Sequence, residues 1–500
     1  MLADAQNPGT DDWFLVQIAT EMGARFERLA LLDSYDDGSW VVPVEADPAN
    51  REAYMRQAER AKLTFGKTIV DQKVSRMKLR GFRTAADDDV NGDREASRLM
   101  KLNHFKTQFR EMQRWKTLYG QAYFVIGMDE VNEPFITARS PWQVGVKMNE
   151  LRPWLTDAAL IISRDELNQL DLLTLIRPGY MRVAAKESQE PSIPTDGTPW
   201  EPGTDWDWVS STAVTWTERV PVVPFTNPGG KGEFEPHLPS LDRITQDILE
   251  RLTITAMQAF RQRAIESGDD PLPDVWPEGH PQAGEPIDYD DIYKAGPAAL
   301  WLLPQGAKVW ESAPIEMSSL TLAEKKDLEH LAGISGTPLY AFSSDVQGSA
   351  EGAKLQRETI RSKVIEAREF DDESLAMSMS LLFEAHGDQQ RADRTEITTM
   401  WGHIEWVSKA DVAPAAASAK QGGMSQRGIN EHIYEMTPEE LELEANNLRD
   451  EQFQLSLMNA GGGDGAYGAG GSAAREPEGF DHGTPDSDSA GAVEELQPVE

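Results

Sequence analysis

The sequence predicts an α+β chain that is mainly α. Helical periodicity opens the chain, strand-like runs cluster between residues 122 and 225, and two very long apolar stripes at helical spacing follow residue 240. Strands and helices do not alternate regularly, so a doubly wound parallel sheet is not expected.

In chain order, Thr10 or Asp11 opens a helix whose apolar face is Val16, Ile18, Met22, Phe26 and Leu29, stopped by glycine and acid at 34–38. A second helical pattern runs from near Pro48 through Ile69, Val70, Val74 and Met77 to Leu79. Arg80-Gly81-Phe82-Arg83 then reads as a short extended piece, 87–92 as a turn, and 93–119 as a helix ended by Gly120. Strands are predicted at 122–128, 134–138, 144–148, 158–164 and 170–176. After a Pro/Gly/Trp-rich excursion at 190–207, further strands are predicted at 213–218 and 220–225.

The long stripes come next. Ser240 is the expected N-cap of a helix over 240–267, with Asp242 in its first turn and Leu241, Ile244, Ile248, Leu252, Ala256, Phe260 and Ala264 on one face. Arg261 and Arg263 close its last turn before Gly268, giving a rod roughly 40 Å long at about 1.5 Å per residue. A longer helix over 350–386, capped by Ser349, carries Ile360, Val364, Ala367, Leu375, Met379 and Leu382 and ends at Gly387. Between them, 268–318 holds eight prolines, ten acids against two lysines, and five aromatics. Proline at that density forbids a long helix, and three tryptophans argue for a compact β-rich insert, with 299–303 pairing 307–310. Residues 320–331 resume helix, and 333–348 form a loop. A strand at 395–401 is followed by small helices at 410–421, 425–434 and 437–458. The tail from 461 has ten glycines and nine acids against Arg475, a composition expected to stay disordered.

Composition removes whole classes of chemistry. With no cysteine there are no disulfides, thiol nucleophiles or Cys-ligated metals. A formal charge of −36 argues against gripping nucleic acid by neutralising phosphates, and suits a surface past which a polyanion slides. No apolar run has the length of a membrane span, and the N-terminus lacks a basic region followed by an apolar core, so a soluble chain of cytoplasmic origin is expected.

The local motifs are incomplete. Asp87-x-Asp89-x-Asn91-Gly92 opens like a calcium loop, but Arg94 and Arg98 occupy the eighth and twelfth positions. Gly229-Gly230-Lys231-Gly232 lacks phosphate-loop spacing, and His403-Ile404-Glu405 has no cysteines to complete a zinc site. Lys354, Arg357, Arg361, Lys363 and Arg368 alternate with Glu358, Glu366 and Glu369, as on a solvated or salt-bridged helix face.

Several short pieces, taken in order and spacing, resemble the portal protein of long-tailed bacteriophages. They are Ile69-Val70-Asp71 leading to Arg80-Gly81-Phe82-Arg83, Leu118-Tyr119-Gly120-Gln121-Ala122-Tyr123, Pro221-Val222-Val223-Pro224 with Asn227, and Gln246-Asp247. Further on come Trp401, Ser408-Lys409-Ala410-Asp411, Gln421-Gly422-Gly423 and Thr437-Pro438-Glu439-Glu440, so the resemblance covers about 10–459. The segment 232–237 departs from it, where a small-residue turn is usual.

The resemblance implies a portal-like fold: an α/β wing at 1–238, a stem helix at 239–267, a β-rich clip at 268–318 and a second stem helix at 319–335. A tunnel loop at 336–349, a long helix and wing strand at 350–407, a helical crown at 408–459 and an acidic tail at 460–500 complete it. Phe342, Ser343, Ser344, Gln347, Lys354 and Arg357 would face DNA. Trp276, Tyr289, Trp301 and Trp310 would form the clip interface, and Ile244, Ile248, Leu252 and Phe260 the stem packing. Portals of this family form rings, usually dodecameric, at one capsid vertex. The implied partners are double-stranded DNA, the terminase large subunit, a head–tail connector, and capsid and scaffold proteins, with no cofactor, metal, enzymatic activity or membrane. Another ring component of the virion, a connector or scaffold, is the nearest alternative. A metal-dependent hydrolase using Asp87 and Asp89, or Asp288 and Asp291, is the alternative from another class.

Overall fold

Thr10 caps the first helix, its Oγ1 accepting from the Trp13 amide at 3.2 Å. The computed structural model describes residues 2–42, 51–86, 92–259, 263–266, 273–292, 308–311, 316–343, 350–404 and 409–461. The opening helix is two helices, α1 (Asp11–Gly23) and α2 (Phe26–Asp37). A Cβ at Gly23 would lie 1.7 Å from the Trp200 carbonyl oxygen, and Phe26 stacks on Trp142 and Trp200, so tertiary packing breaks the run at 24–25. The second pattern is likewise split, into α3 (Arg51–Ala61) and α4 (Phe65–Val74), before β1 (Leu79–Arg83). The predicted turn at 87–92 lies outside the described residues except Gly92. Then α5 (Arg94–Leu102) and α6 (Phe105–Tyr119) replace the single helix expected over 93–119. His104, at φ +48°, makes the break.

Gly120 ends α6 at φ +83°, where a Cβ would press within 2.4 Å of the Gly230 carbonyl oxygen. The strands that follow are β2 (Gln121–Met128), β3 (Pro134–Arg139), β4 (Val144–Met148), β5 (Thr156–Asp165), β6 (Leu170–Arg177), β7 (Tyr180–Glu187), β8 (Asp207–Ala213) and β9 (Val222–Thr226). Two antiparallel sheets result, ordered β3-β2-β9 and β4-β5-β6-β7-β8. The reading from sequence omitted β7, which Pro178-Gly179 turns back onto β6. It also placed 213–218 in a strand, whereas pairing with β7 moves the strand to Asp207–Ala213. Side chains of β2 alternate: Ala122, Phe124 and Ile126 face the core of α5 and α6, while Tyr123 and Val125 join a small core with Val144, Ala159 and Ile176 between the sheets. On the outer edge of β3 the Ile136 and Ala138 amides donate to Asn103 Oδ1 and Gln108 Oε1, which closes that edge to another strand.

The predicted helix over 240–267 is α7 (Leu238–Ala259), which starts earlier and stops sooner. Ser240 lies inside it, not at its cap, and Arg263 and Ala264 belong to β10 (Arg263–Glu266). A short α8 (Tyr289–Ile292) precedes β11 (Lys308–Glu311), and β11 pairs antiparallel with β10. Residues 299–303, expected to pair there, lie outside the described residues. Strand pairing, a tertiary effect, thus overrides the helical spacing that Ala264 continues. The chain returns in α9 (Met317–Ser335), longer than the predicted 320–331, and one 3-10 turn at Leu339–Ala341 follows.

α10 (Ala350–His386) has the predicted ends. Its Val364, Ala367, Leu375, Met379 and Leu382 close over β2, β3 and β9 beside α6. β12 (Thr398–Trp401) pairs with β1. α11 (Lys409–Gln421), α12 (Gln426–His432) and α13 (Pro438–Gly461) complete the described chain. One compact unit spans Met1–Leu443. The second, Glu444–Glu500, contains the rest of α13, where Phe453, Leu455 and Leu457 are exposed. Of the predicted tail at 460–500, residues 460 and 461 belong to the end of α13, and 462–500 lie outside the described residues. The molecule is α+β, with mixed helix and antiparallel sheet.

Candidate assembly site at the root of the helix pair

α7 and α9 run antiparallel. Arg243 Nη2 lies 2.8 Å from Asp327 Oδ1, and Arg251 Nε lies 3.0 Å from Glu324 Oε2, so rising numbers on α7 meet falling numbers on α9. Leu241, Ile244, Ile248 and Leu249 are buried along with Leu331, and Leu252 and Leu328 are half-buried against them. Phe260 lies outside the described residues. Asp247 also meets Asp327. Burial, then the hydrogen bond and the charge of Asp327, push the Asp247 carboxyl up to about 6. Asp327 stays below its ordinary value: hydrogen bonds with Arg243 and Asp247 outweigh its burial.

The pair is rooted in the α+β body through the segment that departs from the portal pattern. Glu233 accepts from Lys73 of α4 and Lys363 of α10, both at 2.6 Å, and Lys363 also donates to the Ser335 carbonyl at the end of α9 at 2.7 Å. Burial would raise the Glu233 carboxyl, but the two lysines outweigh it and bring it down to about 2. Glu235 accepts from Arg28 Nη2 at 2.6 Å and from the Gly232 amide at 2.9 Å. Asn227 Nδ2 donates to the Lys116 and Lys231 carbonyls, both at 3.0 Å. The approach to α7 is therefore a clasp of charged hydrogen bonds, not a small-residue turn. Neither Glu233 nor Lys73 stood out in the sequence, and Lys363 read there as part of a solvated or salt-bridged face, with acids of its own helix and not Glu233 as the neighbours.

Around the 3-10 turn, Phe342 sets its ring edge-on to Phe65, centroids 5.5 Å apart, and Tyr340 Oη accepts from Arg76 Nη2 at 2.9 Å. Phe342 is half-buried, so it anchors the middle of the predicted 336–349 tunnel loop. Ser343 is the last described residue before α10, and Ser344 and Gln347 lie outside the described residues. Arg357 is exposed on α10, and Lys354 is on the same helix, with its side chain outside the description.

In the insert, Trp276 stacks on His280 with centroids 3.9 Å apart, and Tyr289 Oη donates to the Pro273 carbonyl at 2.7 Å. Trp310 is on β11, 57% exposed, and Trp301 lies outside the described residues. Among the described residues, no three His, Cys, Asp or Glu side chains are grouped to hold a metal. Asp87 and Asp89 lie outside those residues, Asp288 is exposed, and the side chain of Asp291 is outside the description. Gly229 and Gly230, at φ +72° and +66°, form a 3-10 turn and not a phosphate cradle. No described helix is long and apolar enough to cross a membrane.

No family model matches the chain, and no curated protein matches it. Among solved structures it is similar to a chain from the neck of an empty GTA (gene transfer agent) particle computed with C6 symmetry. That match has 12% identity and a TM-score of 0.41, covering 79% of this chain and 96% of the other. A second is a chain from the neck of a native GTA particle computed with C12 symmetry, at 13% identity and a TM-score of 0.38, covering 81% and 98%.

Proposed function

We propose that this chain is a portal subunit of a phage-type particle: a non-enzymatic, ring-forming conduit, dodecameric, at one capsid vertex. Double-stranded DNA passes through the ring during packaging and ejection. The terminase large subunit docks on it during packaging, a head–tail connector meets its insert, and capsid and scaffold proteins surround it during assembly in the host cytoplasm.

The observation that supports this reading best is the α7–α9 pair, two long antiparallel helices that leave an α+β body and return to it around an inserted segment. A helix of a closed globule turns its apolar stripe to the core and its polar face to water. Here Leu322 and Ile334 of α9 are 58% and 55% exposed, and neighbouring copies in a ring supply the cover through head-to-tail contacts. The exposed Trp310 suits an insert that anchors a partner. Twelve copies at −36 each carry roughly −430, a surface that repels a duplex instead of trapping it.

Mass and imaging test the reading. The full chain, alone or co-expressed with capsid and scaffold proteins, is expected to form closed rings of about a dozen copies. A chain that stays monomeric in both settings and cleaves phosphodiesters with a divalent metal would overturn it.

A further inference from the structure

The chain carries 84 acids against 48 Lys and Arg, yet residues 94–116 hold seven Lys and Arg against two Glu. Five of those bases are engaged within the chain: Arg94 with Glu442, Arg98 with Glu95, Arg114 with Asp36 and Asp71, Lys116 with Asp371, and Lys101 as well. Lys106 and Arg110, one turn apart on α6, are exposed, and the end of α5 exposes Leu102, at 41%.

The opposite charge lies on α10. Glu366, Glu369 and Glu373 recur at three- and four-residue steps, all exposed, and Phe370 beside them is 53% exposed. Glu369 and Glu373 each stand two residues from Asp371, about 200° round the helix. Asp371 is the residue through which α10 meets Lys116 of α6. The acid stripe therefore points away from α6, the helix that carries Lys106 and Arg110.

We infer that these two faces are the two halves of one head-to-tail contact, the occupant of each being a second copy of this chain. Copies of so acidic a chain repel one another, and a contact repeated round a ring has to set exposed bases against acids. Each face also offers an apolar side chain to bury, Leu102 on one and Phe370 on the other. Two different faces make a heterologous contact, the kind that closes into a ring. The inference rests on the ring reading above and names the surfaces that build it.

Full-length variants test it, with sedimentation at low salt as the readout and thermal melts as the check on folding. Lys106→Glu with Arg110→Glu reverses one face, and Glu366→Lys with Glu369→Lys reverses the other. The corresponding Gln pairs replace either variant if it fails to fold. The wild type is expected to associate, each single-face variant to lose about tenfold or more in affinity, and the quadruple reversal to regain it. Single-face variants that associate like the wild type would remove these faces as the contact and leave the ring reading standing. Loss without rescue in the quadruple variant would show that the faces are not each other's partner, which also overturns the inference. A wild type that stays monomeric at low salt overturns it too, and the ring reading then stands or falls on assembly with capsid and scaffold proteins.

Discussion

Lys116 of α6 donates to Asp371 of α10 at 2.6 Å, and both side chains are 2% exposed. Gln113 donates to the other Asp371 oxygen, also at 2.6 Å. This triad is the polar centre of an apolar seam between the two helices that cover the β3-β2-β9 sheet. Removing one ion leaves the other buried without a counter-charge. Asp371→Ala is therefore expected to lower the free energy of unfolding in urea by about 3–5 kcal/mol. Replacing the whole triad, as Lys116→Met with Gln113→Leu and Asp371→Leu, is expected to recover most of that loss, because no charge or unpaired amide then remains buried.

Glu233 supplies a pH dependence of defined sign. Its carboxyl falls from 4.5 to about 2 on folding, because Lys73 and Lys363 outweigh its burial. A lowered acid contributes stability that is complete above the unfolded value and is lost as pH falls through the folded one. The contribution is about 3 kcal/mol at neutral pH and fades between about pH 4.5 and 2. Glu233→Gln is expected to lower the urea midpoint at pH 7, with a gap from the wild type that narrows steadily toward pH 2. A gap independent of pH would mean that the two ammonium groups do not hold this carboxylate.

The contrast between α10 and Glu233 shows what can be read from one dimension. α10 was legible at both ends because its apolar residues repeat at three and four steps and Gly387 takes φ +83° just past it. β2 was legible because its packing alternates with period two. The breaks at 24–25 and 103–104 were not, since close packing against Trp200 and the side-chain bonds to β3 cause them, and neither leaves a local pattern. β10 was lost for the same reason: its partner is β11, across the whole insert. Among the site residues, Ile244 and Ile248 carry a periodic signal, whereas Glu233 meets Lys73 and Lys363 across separations of 160 and 130 residues. No spacing rule reaches that far.

Asp247 and Asp327 make the helix pair respond to pH in the opposite direction. Asp247 rises from 3.8 to about 6 on folding, through burial and then Asp327. A raised acid contributes stability that is complete below the unfolded value and is lost as pH climbs through the folded one. The α7–α9 pairing is thus expected to loosen between about pH 4 and 6, and the surface location keeps the effect to about 0.5–1 kcal/mol. Asp247→Asn is expected to abolish that slope and to protect the amides of both helices from hydrogen exchange at pH 7 relative to the wild type. Unchanged exchange in the variant would show that the two carboxylates do not strain the pair.

Arg80 joins three pieces of chain that are far apart in sequence. Its Nε donates to the Trp401 carbonyl at 3.1 Å, and its Nη1 donates to the Glu431 and Met436 carbonyls at 2.9 and 3.0 Å. The neighbouring Arg83 pairs with the Glu431 carboxylate. The Arg80-Gly81-Phe82-Arg83 motif is therefore a hub that ties β1 to β12 and to the α12 region, through the fixed fork of one planar guanidinium. Arg80→Lys keeps the charge but not the fork. It is expected to cost about 1–3 kcal/mol of local stability and to expose the 402–436 segment to limited proteolysis before the rest of the Met1–Leu443 unit unfolds. If cleavage there occurs no faster than in the wild type, the charge alone holds this segment, and the fork geometry is incidental.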